Sequence, residues 1–159
     1  MNEIIKIYKT IKQMFIIMLL MLLLILLMFV HYSYADSINI NLTIIKTIES
    51  SGDPNAFNRS SGARGLYQIT PIVLKEYNSI NKTQYTINDL FDSDINTMIA
   101  KWYLTKRIPQ MLRYFKKPIT INNVLISYNA GINYVVKELP LPSETRQYIR
   151  KYNERINND

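Results

Sequence analysis

The chain has 159 residues and a formal net charge of +7, with no cysteine and one histidine, His31. This length suits one globular domain better than two. The lack of cysteine and of any histidine after His31 excludes Ser-His-Asp and Cys-His nucleophilic catalysis, haem ligation and most zinc sites. Phosphate-loop and dinucleotide-binding motifs are also absent from the sequence. We therefore expect no metal and no cofactor, and any acid–base chemistry falls to carboxylates, tyrosines or lysines.

The N-terminal segment has the pattern of an export signal. Residues 14–30 contain no charged or polar side chain; three lysines precede them, and the small residues Ser33 and Ala35 follow. A basic start, an apolar run and a small-x-small site are typical of a secretory signal peptide, predicted here over residues 1–35. The run is also close to the ~20 residues that span a membrane. We favour cleavage after Ala35, with an uncleaved N-terminal anchor as the alternative; either way, residues 36–159 are exported to the periplasm or the exterior.

The exported part keeps a positive balance. Removal of residues 1–35 takes away three lysines and one glutamate, which leaves a net charge of about +5. The basic residues are spread along the chain and do not form a dense stripe. Such a distribution suits an acidic polymer as partner, whereas nucleic-acid binding requires denser basic clusters and a cytoplasmic location.

The first predicted helix of the exported part runs from about Ser37 to Ser50. Ile38, Leu42, Ile45 and Glu49 follow one another at helical spacing, so they share one face. Glu49 thus stands at the C-terminal end of an apolar stripe. Burial and the negative end of the helix dipole both raise the pKa of a carboxyl group placed there. A raised pKa is what a general acid needs near neutral pH.

Helical spacing dominates the rest of the chain, and strand alternation is weak. Residues 51–65 are predicted to form a loop, because glycine, proline and asparagine are frequent there. Four further helices are expected: one over about 71–78 capped by Thr70, one from Asp92 or Ser93 that Pro109 breaks or restarts, one from Thr120 to Gly131, and one capped by Ser143. Trp102 lies on an apolar stripe and is expected in the core.

Four short motifs occur in order behind the export segment. They are Glu49-Ser50, GLYQI at 65–69, SYNAG at 127–131 and ETRQYI at 144–149. Together they resemble the soluble lytic transglycosylase domain, in the goose-type-lysozyme-like group of family 23 glycosidases. The resemblance covers about Leu42 to Tyr152, so the family's features are expected for nearly all of the exported part.

The resemblance implies a mostly helical fold of the α+β lysozyme-like superfold, with one small domain over 36–159 and a cleft for a glycan strand. Glu49 matches the catalytic acid of the family. The residues that the resemblance implies as substrate contacts are Gln68, Tyr128, Asn129, Tyr148, Tyr67 and either Ser60 or Ser61.

The sequence departs from the family pattern at two places. Tyr67 replaces a common methionine, so stacking on a sugar ring is expected to differ there, and Ser127 replaces alanine. The family often has a substrate-contacting serine between the first two motifs. Ser60 and Ser61 both stand near that position, and the sequence does not choose between them.

The reaction implied by the resemblance is cleavage of the β-1,4 bond from N-acetylmuramic acid to N-acetylglucosamine, with closure of a 1,6-anhydro ring. Glu49 would act first as acid and then as base. A lysozyme-type hydrolase is one alternative, but the sequence offers no firm second carboxylate, since Asp53 stands in a turn where aspartate is common. A non-catalytic, peptidoglycan-binding component of a secretion or conjugation complex is another.

Overall fold

The computed structural model describes residues 2–34 and 38–158, and the chain divides into two units after residue 37. The described part of the first unit is one helix, α1 (Asn2–Tyr34). Its segment Glu3–Met28 is long and apolar enough to cross a membrane, a property that signal sequences share. The predicted cleavage site and domain boundary at Ala35 lie outside the described residues.

The second unit is helical, which confirms the predicted fold class. Its helices are α2 (Leu42–Ser50), α3 (Pro71–Asn81), a 3₁₀-helix (Ile87–Phe91), α4 (Ser93–Trp102), a π-helical turn (Tyr103–Arg107), α5 (Ile108–Tyr114), α6 (Ile121–Asn129), α7 (Ile132–Val136) and α8 (Ser143–Ile156). Within residues 38–158 there is no β-strand, and isolated β-bridges join Arg64 to Phe57 and to Ile69.

Helix α2 begins later than the predicted Ser37, which lies outside the described residues. The Oδ1 atom of Asn41 accepts hydrogen bonds from the backbone N–H groups of Thr43 and Ile44, so Asn41 is the N-cap. An asparagine side chain that bonds the next backbone groups favours a helix start over a helix interior. The prediction of helix before Asn41 was therefore wrong, and Ile38 precedes the helix instead of sharing its face.

The long helical segment from α4 to α5 is continuous through Pro109. Proline has no N–H, and its ring clashes with the carbonyl four residues earlier in an α-helix. The π-helical turn before Pro109 is wider, and the Ile108 N–H bonds the Tyr103 carbonyl, five residues back. The helical backbone therefore continues from the π-helical turn into α5 without an intervening loop, and Pro109 lies in the first turn of α5.

Two helix starts agree with the predicted caps and one does not. The side chains of Thr70 and Thr120 accept hydrogen bonds from backbone N–H groups of α3 and α6, as predicted. Ser143 is the first residue of α8, and Pro142 occupies the cap position without a side-chain bond. The prediction that Ser143 caps α8 was wrong by one residue, because Pro142 has the extended backbone that ends the preceding segment.

The core lies between α2, the α4–α5 segment, α6 and α8. Ile45, Leu104, Leu125 and Tyr152 are at most 1 % exposed. The Tyr152 hydroxyl also accepts a hydrogen bond from the Asn41 backbone N–H (2.8 Å), which fixes α8 against the start of α2. Trp102 packs against this core, as expected.

Candidate active site

A cleft of about 510 Å³ opens beside the C-terminal end of α2. Three lining residues of the loop between α2 and α3 are named here the loop wall: Asn58, Ser61 and Gln68. Four lining residues of α8 are named the helix wall: Glu144, Gln147, Tyr148 and Lys151. Ile72 and Val73 of α3 and Tyr128 and Asn129 at the C-terminal end of α6 also line the cleft. The cleft thus brings together chain segments that are far apart in sequence.

Glu49 lies in this cleft, in the last turn of α2, and is half-buried. Its Oε1 atom accepts a hydrogen bond from the Tyr148 hydroxyl at 2.8 Å. Burial raises the pKa of Glu49 from 4.5 to about 7; the Tyr148 hydrogen bond opposes this rise, and the negative charge of Glu144 adds to it. A carboxyl group with this pKa is protonated in a large fraction of molecules at neutral pH, so it can donate a proton.

Two tyrosines are placed around Glu49. The Tyr128 hydroxyl donates a hydrogen bond to the Tyr67 carbonyl oxygen (2.6 Å), and the Tyr148 hydroxyl donates to Glu49. Burial, and secondarily the charge of Glu49, raises the pKa of both tyrosines well above the ordinary value of 10. Both hydroxyls therefore stay neutral across the working range of most enzymes and remain hydrogen-bond donors.

The loop that carries the loop wall is tied to the body of the domain by side-chain-to-backbone hydrogen bonds. The Ser50 hydroxyl donates to the Leu66 carbonyl (2.8 Å) at the end of α2. Asn96, on α4 and fully buried, accepts from the Tyr67 N–H (2.9 Å) and donates to the Arg64 and Leu90 carbonyls. These bonds satisfy backbone groups that would otherwise be buried without partners.

Gly65 allows this loop to lie close to α4. Its φ angle is +74°, and a Cβ atom there would stand 2.2 Å from the Leu90 carbonyl oxygen and 2.4 Å from the Asn96 amide nitrogen. Other side chains do not fit at such distances, and the left-handed backbone adds strain for them. The position of the loop wall therefore depends on glycine at 65.

Gln68 is held in the cleft by its own amide group. Its Nε2 donates hydrogen bonds to the Ala56 carbonyl (3.2 Å) and the Gly65 carbonyl (3.1 Å), and its backbone adopts a positive φ of +48°. Within the part of the chain that the structure describes, its amide oxygen accepts no hydrogen bond. That oxygen can accept a hydrogen bond from a bound hydroxyl or amide.

The family model for the transglycosylase SLT domain matches residues 32–151. The chain belongs to this family. The match confirms the resemblance found in the sequence motifs, and it supports a function of the lytic transglycosylase type, acting on peptidoglycan. A comparison with curated protein sequences gives no match.

Most of the predicted site residues meet in the cleft of the SLT domain. The residues that line it together are Glu49, Ser61, Gln68, Tyr128, Asn129 and Tyr148. The structure also separates the two serine candidates, since Ser61 lines the cleft and Ser60 does not. The Ser60 hydroxyl donates instead to the Asn58 side-chain oxygen at 2.7 Å.

The structure does not bring Tyr67 to the cleft. Its side chain is 3 % exposed and belongs to the core of the SLT domain, although the resemblance placed it among the substrate contacts. Its backbone contributes to the site, because the Tyr67 carbonyl oxygen accepts a hydrogen bond from the Tyr128 hydroxyl. The adjacent Gln68 lines the cleft instead.

The sequence analysis missed the charged residues of the helix wall. Glu144 lines the cleft with Glu49 and raises the pKa of Glu49, although no firm second carboxylate was expected. Gln147 and Lys151 were not predicted at all. Helical spacing is the signal that could have found them, because residues three or four apart share a helix face. Gln147 follows Glu144 by three residues, and Lys151 follows Tyr148 by three.

Asp53 does not line the cleft, which agrees with its interpretation as a turn residue. Its Oδ1 atom accepts a hydrogen bond from the Asn55 N–H at 2.8 Å. Among the described residues, no group of three or more histidine, cysteine, aspartate or glutamate side chains is placed to hold a metal ion.

Proposed function

We propose that this protein is a peptidoglycan lytic transglycosylase that cleaves the β-1,4 bond between N-acetylmuramic acid and N-acetylglucosamine. The observation that carries the proposal is Glu49, a carboxyl group with a pKa of about 7 in a cleft of the SLT domain. Glycosidic-bond cleavage requires a protonated carboxyl group that can reach the leaving oxygen.

In the proposed reaction, Glu49 donates its proton to the glycosidic oxygen while the bond from that oxygen to C1 of the muramic acid breaks. The resulting carboxylate then takes the proton from the C6 hydroxyl of the same sugar, and O6 forms a bond to C1. The proton returns to Glu49, no water is consumed, and the product is a 1,6-anhydro sugar. The Tyr148 hydrogen bond stabilises the carboxylate between the two steps.

The other cleft residues have proposed roles in holding the glycan. Ser61, Gln68 and Asn129 present hydroxyl and amide groups to the cleft, which suit the hydroxyl and acetamido groups of the sugars. Tyr148 is buried and Tyr128 is half-buried, and both hydroxyls are already bonded, so we assign both residues to positioning.

A lysozyme-type hydrolase is the second candidate, and Glu144 is the observation that favours it. A hydrolase that inverts the anomeric carbon uses a second carboxylate to activate water. Glu144 lines the same cleft and is exposed to solvent, so it could serve that purpose. We favour the transglycosylase because the matched family is one of transglycosylases.

A purely structural, peptidoglycan-binding role in a secretion or conjugation complex is less well supported. Binding alone does not require a half-buried carboxyl group with a raised pKa. Such a group destabilises the folded protein when it ionises. An active enzyme can still work within such a complex. Helix α1 supports export, either as a signal or as an anchor through residues 14–30, and we propose 36–159 as the catalytic domain.

Digestion of purified sacculi tests the proposal. The wild-type protein is compared with Glu49→Gln and with Asp53→Asn, a matched loss of one carboxylate outside the cleft. We expect muropeptides one water lighter than hydrolysis products from wild type and Asp53→Asn, and a roughly 10²–10⁴-fold slower release from Glu49→Gln.

Three outcomes are decisive. Products with reducing ends favour the hydrolase. Equal activity of Glu49→Gln and wild type would show that Glu49 is not the catalytic acid. No product from any of the proteins, with retained binding to sacculi, favours the structural role.

A further inference from the structure

Lys151 is a cationic side chain in the cleft to which no role has yet been given. It lies on the helix wall, one turn after Tyr148, and is exposed. Among residues 38–158 it is the one lysine or arginine that lines the cleft. No carboxylate of the described residues forms an ion pair with its ammonium group. A bound molecule can therefore reach this charge directly.

Lys151 is separated along α8 from Glu144, the charged residue that affects the pKa of Glu49. The pKa of Glu49 is affected by burial, by Tyr148 and by Glu144, and Lys151 is not among the causes. Along α8, Lys151 stands about 4.5 Å beyond Tyr148 and about 10 Å beyond Glu144, from the helical rise per residue. The helix wall thus carries a negative charge at Glu144, which affects the pKa of Glu49, and a positive charge at Lys151, two turns further along α8.

The sugar rings of a peptidoglycan strand carry no charge of their own. Its negative charges are carboxylates, which stand on the peptide stems or, where a stem is absent, on the lactyl group of the muramic acid. A lysine ammonium group is a compact charge with three donors and forms strong hydrogen bonds to carboxylates. The ammonium group in the cleft therefore suits a carboxylate of the substrate better than the neutral sugar hydroxyls.

We propose that Lys151 binds a carboxylate of the substrate and gives the enzyme a preference for glycan strands that carry this charge. The proposal rests on the proposed function, because it takes peptidoglycan as the substrate. A single contact of this type at a partly exposed site changes affinity by about three- to tenfold. The effect should appear in binding and KM, with little change in kcat, since the contact is the same before and during the reaction.

The test uses Lys151→Met, Lys151→Arg and, as the matched control, Lys75→Met. Lys75 is exposed on α3 and does not line the cleft. Each protein receives three glycan preparations: strands with peptide stems, strands whose stems an amidase has removed to expose the lactyl carboxylates, and strands whose carboxylates have been converted to amides. Anhydro-product release gives kcat and KM, and co-sedimentation in a Glu49→Gln background measures binding without turnover.

For Lys151→Met we expect about three- to tenfold weaker binding and higher KM on the carboxylate-bearing strands, and no difference from wild type on amide-converted strands. Lys151→Arg and Lys75→Met should bind like wild type. A defect confined to stem-bearing strands assigns the contact to a carboxylate of the stem, and a defect confined to amidase-treated strands assigns it to the lactyl carboxylate. Equal defects on both preparations show that Lys151 binds a carboxylate from either source.

Wild-type binding by Lys151→Met on every strand overturns the proposal, as does a defect that persists on amide-converted strands. Absence of anhydro product from the wild-type protein would reject the proposed reaction. The co-sedimentation result would still decide the carboxylate contact in that case.

Discussion

The loop wall and the helix wall face the same cleft but differ in charge and in how they are held. The loop wall is neutral, and backbone hydrogen bonds to Ser50 and Asn96 fix the loop that carries it. The helix wall carries Glu144 and Lys151 and is fixed by two tyrosine hydroxyls that bond the ends of α2. One wall therefore sets the shape of the cleft, and the other sets its electrostatics.

This division predicts two kinds of mutant. Changes in the loop should alter stability and leave the pH dependence of activity unchanged. Changes in the α8 residues that line the cleft should shift the pH dependence or the substrate preference with smaller effects on folding. Three of the four experiments below test this separation, and the one on Glu49 tests the acid whose pKa the α8 residues affect; they begin with the largest expected effect.

Gly65→Ala should destabilise the loop wall most strongly. The new Cβ atom would overlap the Leu90 carbonyl and the Asn96 amide, and the positive φ adds strain. We expect a loss of about 3 kcal/mol or more in the free energy of unfolding, measured by urea denaturation. Gly52→Ala is the control, because Gly52 also has a positive φ but nothing within 4 Å. Equal losses in the two variants would contradict the close-packing argument.

Glu49→Gln should stabilise the domain at alkaline pH. Because the pKa of Glu49 is raised from 4.5 to about 7 on folding, its favourable contribution is complete below pH 4.5 and is lost as the pH rises through about 7. Glutamine resembles the protonated acid and does not titrate. With allowance for partial exposure, we expect a gain of roughly 1–3 kcal/mol at pH 8 over wild type.

The corresponding measurement is urea denaturation of both proteins at pH 5 and pH 8, with Asp53→Asn as a control that should follow wild type. Parallel stability curves for wild type and Glu49→Gln would mean that Glu49 titrates normally in the folded protein.

Tyr148→Phe should move the alkaline limb of kcat/KM to higher pH. The Tyr148 hydroxyl stabilises the ionised carboxylate, so its loss raises the pKa of Glu49 further. The same loss should lower kcat about three- to tenfold, because the carboxylate formed after proton donation has one donor fewer. Tyr152→Phe loses the hydroxyl that bonds Asn41 and should lower stability without moving the limb. Identical pH profiles for Tyr148→Phe and wild type would show that Tyr148 does not affect the pKa of Glu49.

Glu144→Gln should move the same limb in the opposite direction, to lower pH, and by less. Its negative charge is the smallest of the three influences on the pKa of Glu49, and it acts to raise that pKa. Glu154→Gln, an exposed change on the same helix, is the matched control and should leave the limb in place. A shift to higher pH in Glu144→Gln would show that Glu144 does not repel the Glu49 carboxylate.

Local patterns were sufficient to predict most helices. Thr70 and Thr120 are followed by apolar residues at helical spacing, and both act as caps. The start of α2 was missed because the apolar spacing continues back through Ile38, while the capping ability of Asn41 decides where the helix begins. At such a boundary, apolar spacing and side-chain capping favour different first residues of the helix. The cap decides, because its hydrogen bonds are the stronger local interaction.

Glu49 could be predicted as a site residue because the motif and the apolar stripe that identify it are short stretches of sequence at the end of α2. Contacts between segments that are distant in sequence could not be predicted in this way. Asn96 bonds Tyr67 and Arg64 across 29 and 32 residues, and no local pattern distinguishes it from a surface asparagine. The choice between Ser60 and Ser61 likewise depends on the conformation of the loop, in which the Asn58 side-chain oxygen accepts a hydrogen bond from the Ser60 hydroxyl.

The hydrogen bond between Tyr148 and Glu49 also has a consequence for the order of folding, since it joins residues 99 positions apart. Helix α8 follows the other helices of the domain in the chain, so it becomes available for docking after them. Before the domain has folded, Glu49 is hydrated and ionised at neutral pH, as a free glutamate is. The unfolded chain therefore holds no acid at this position able to donate a proton, and the folded domain does.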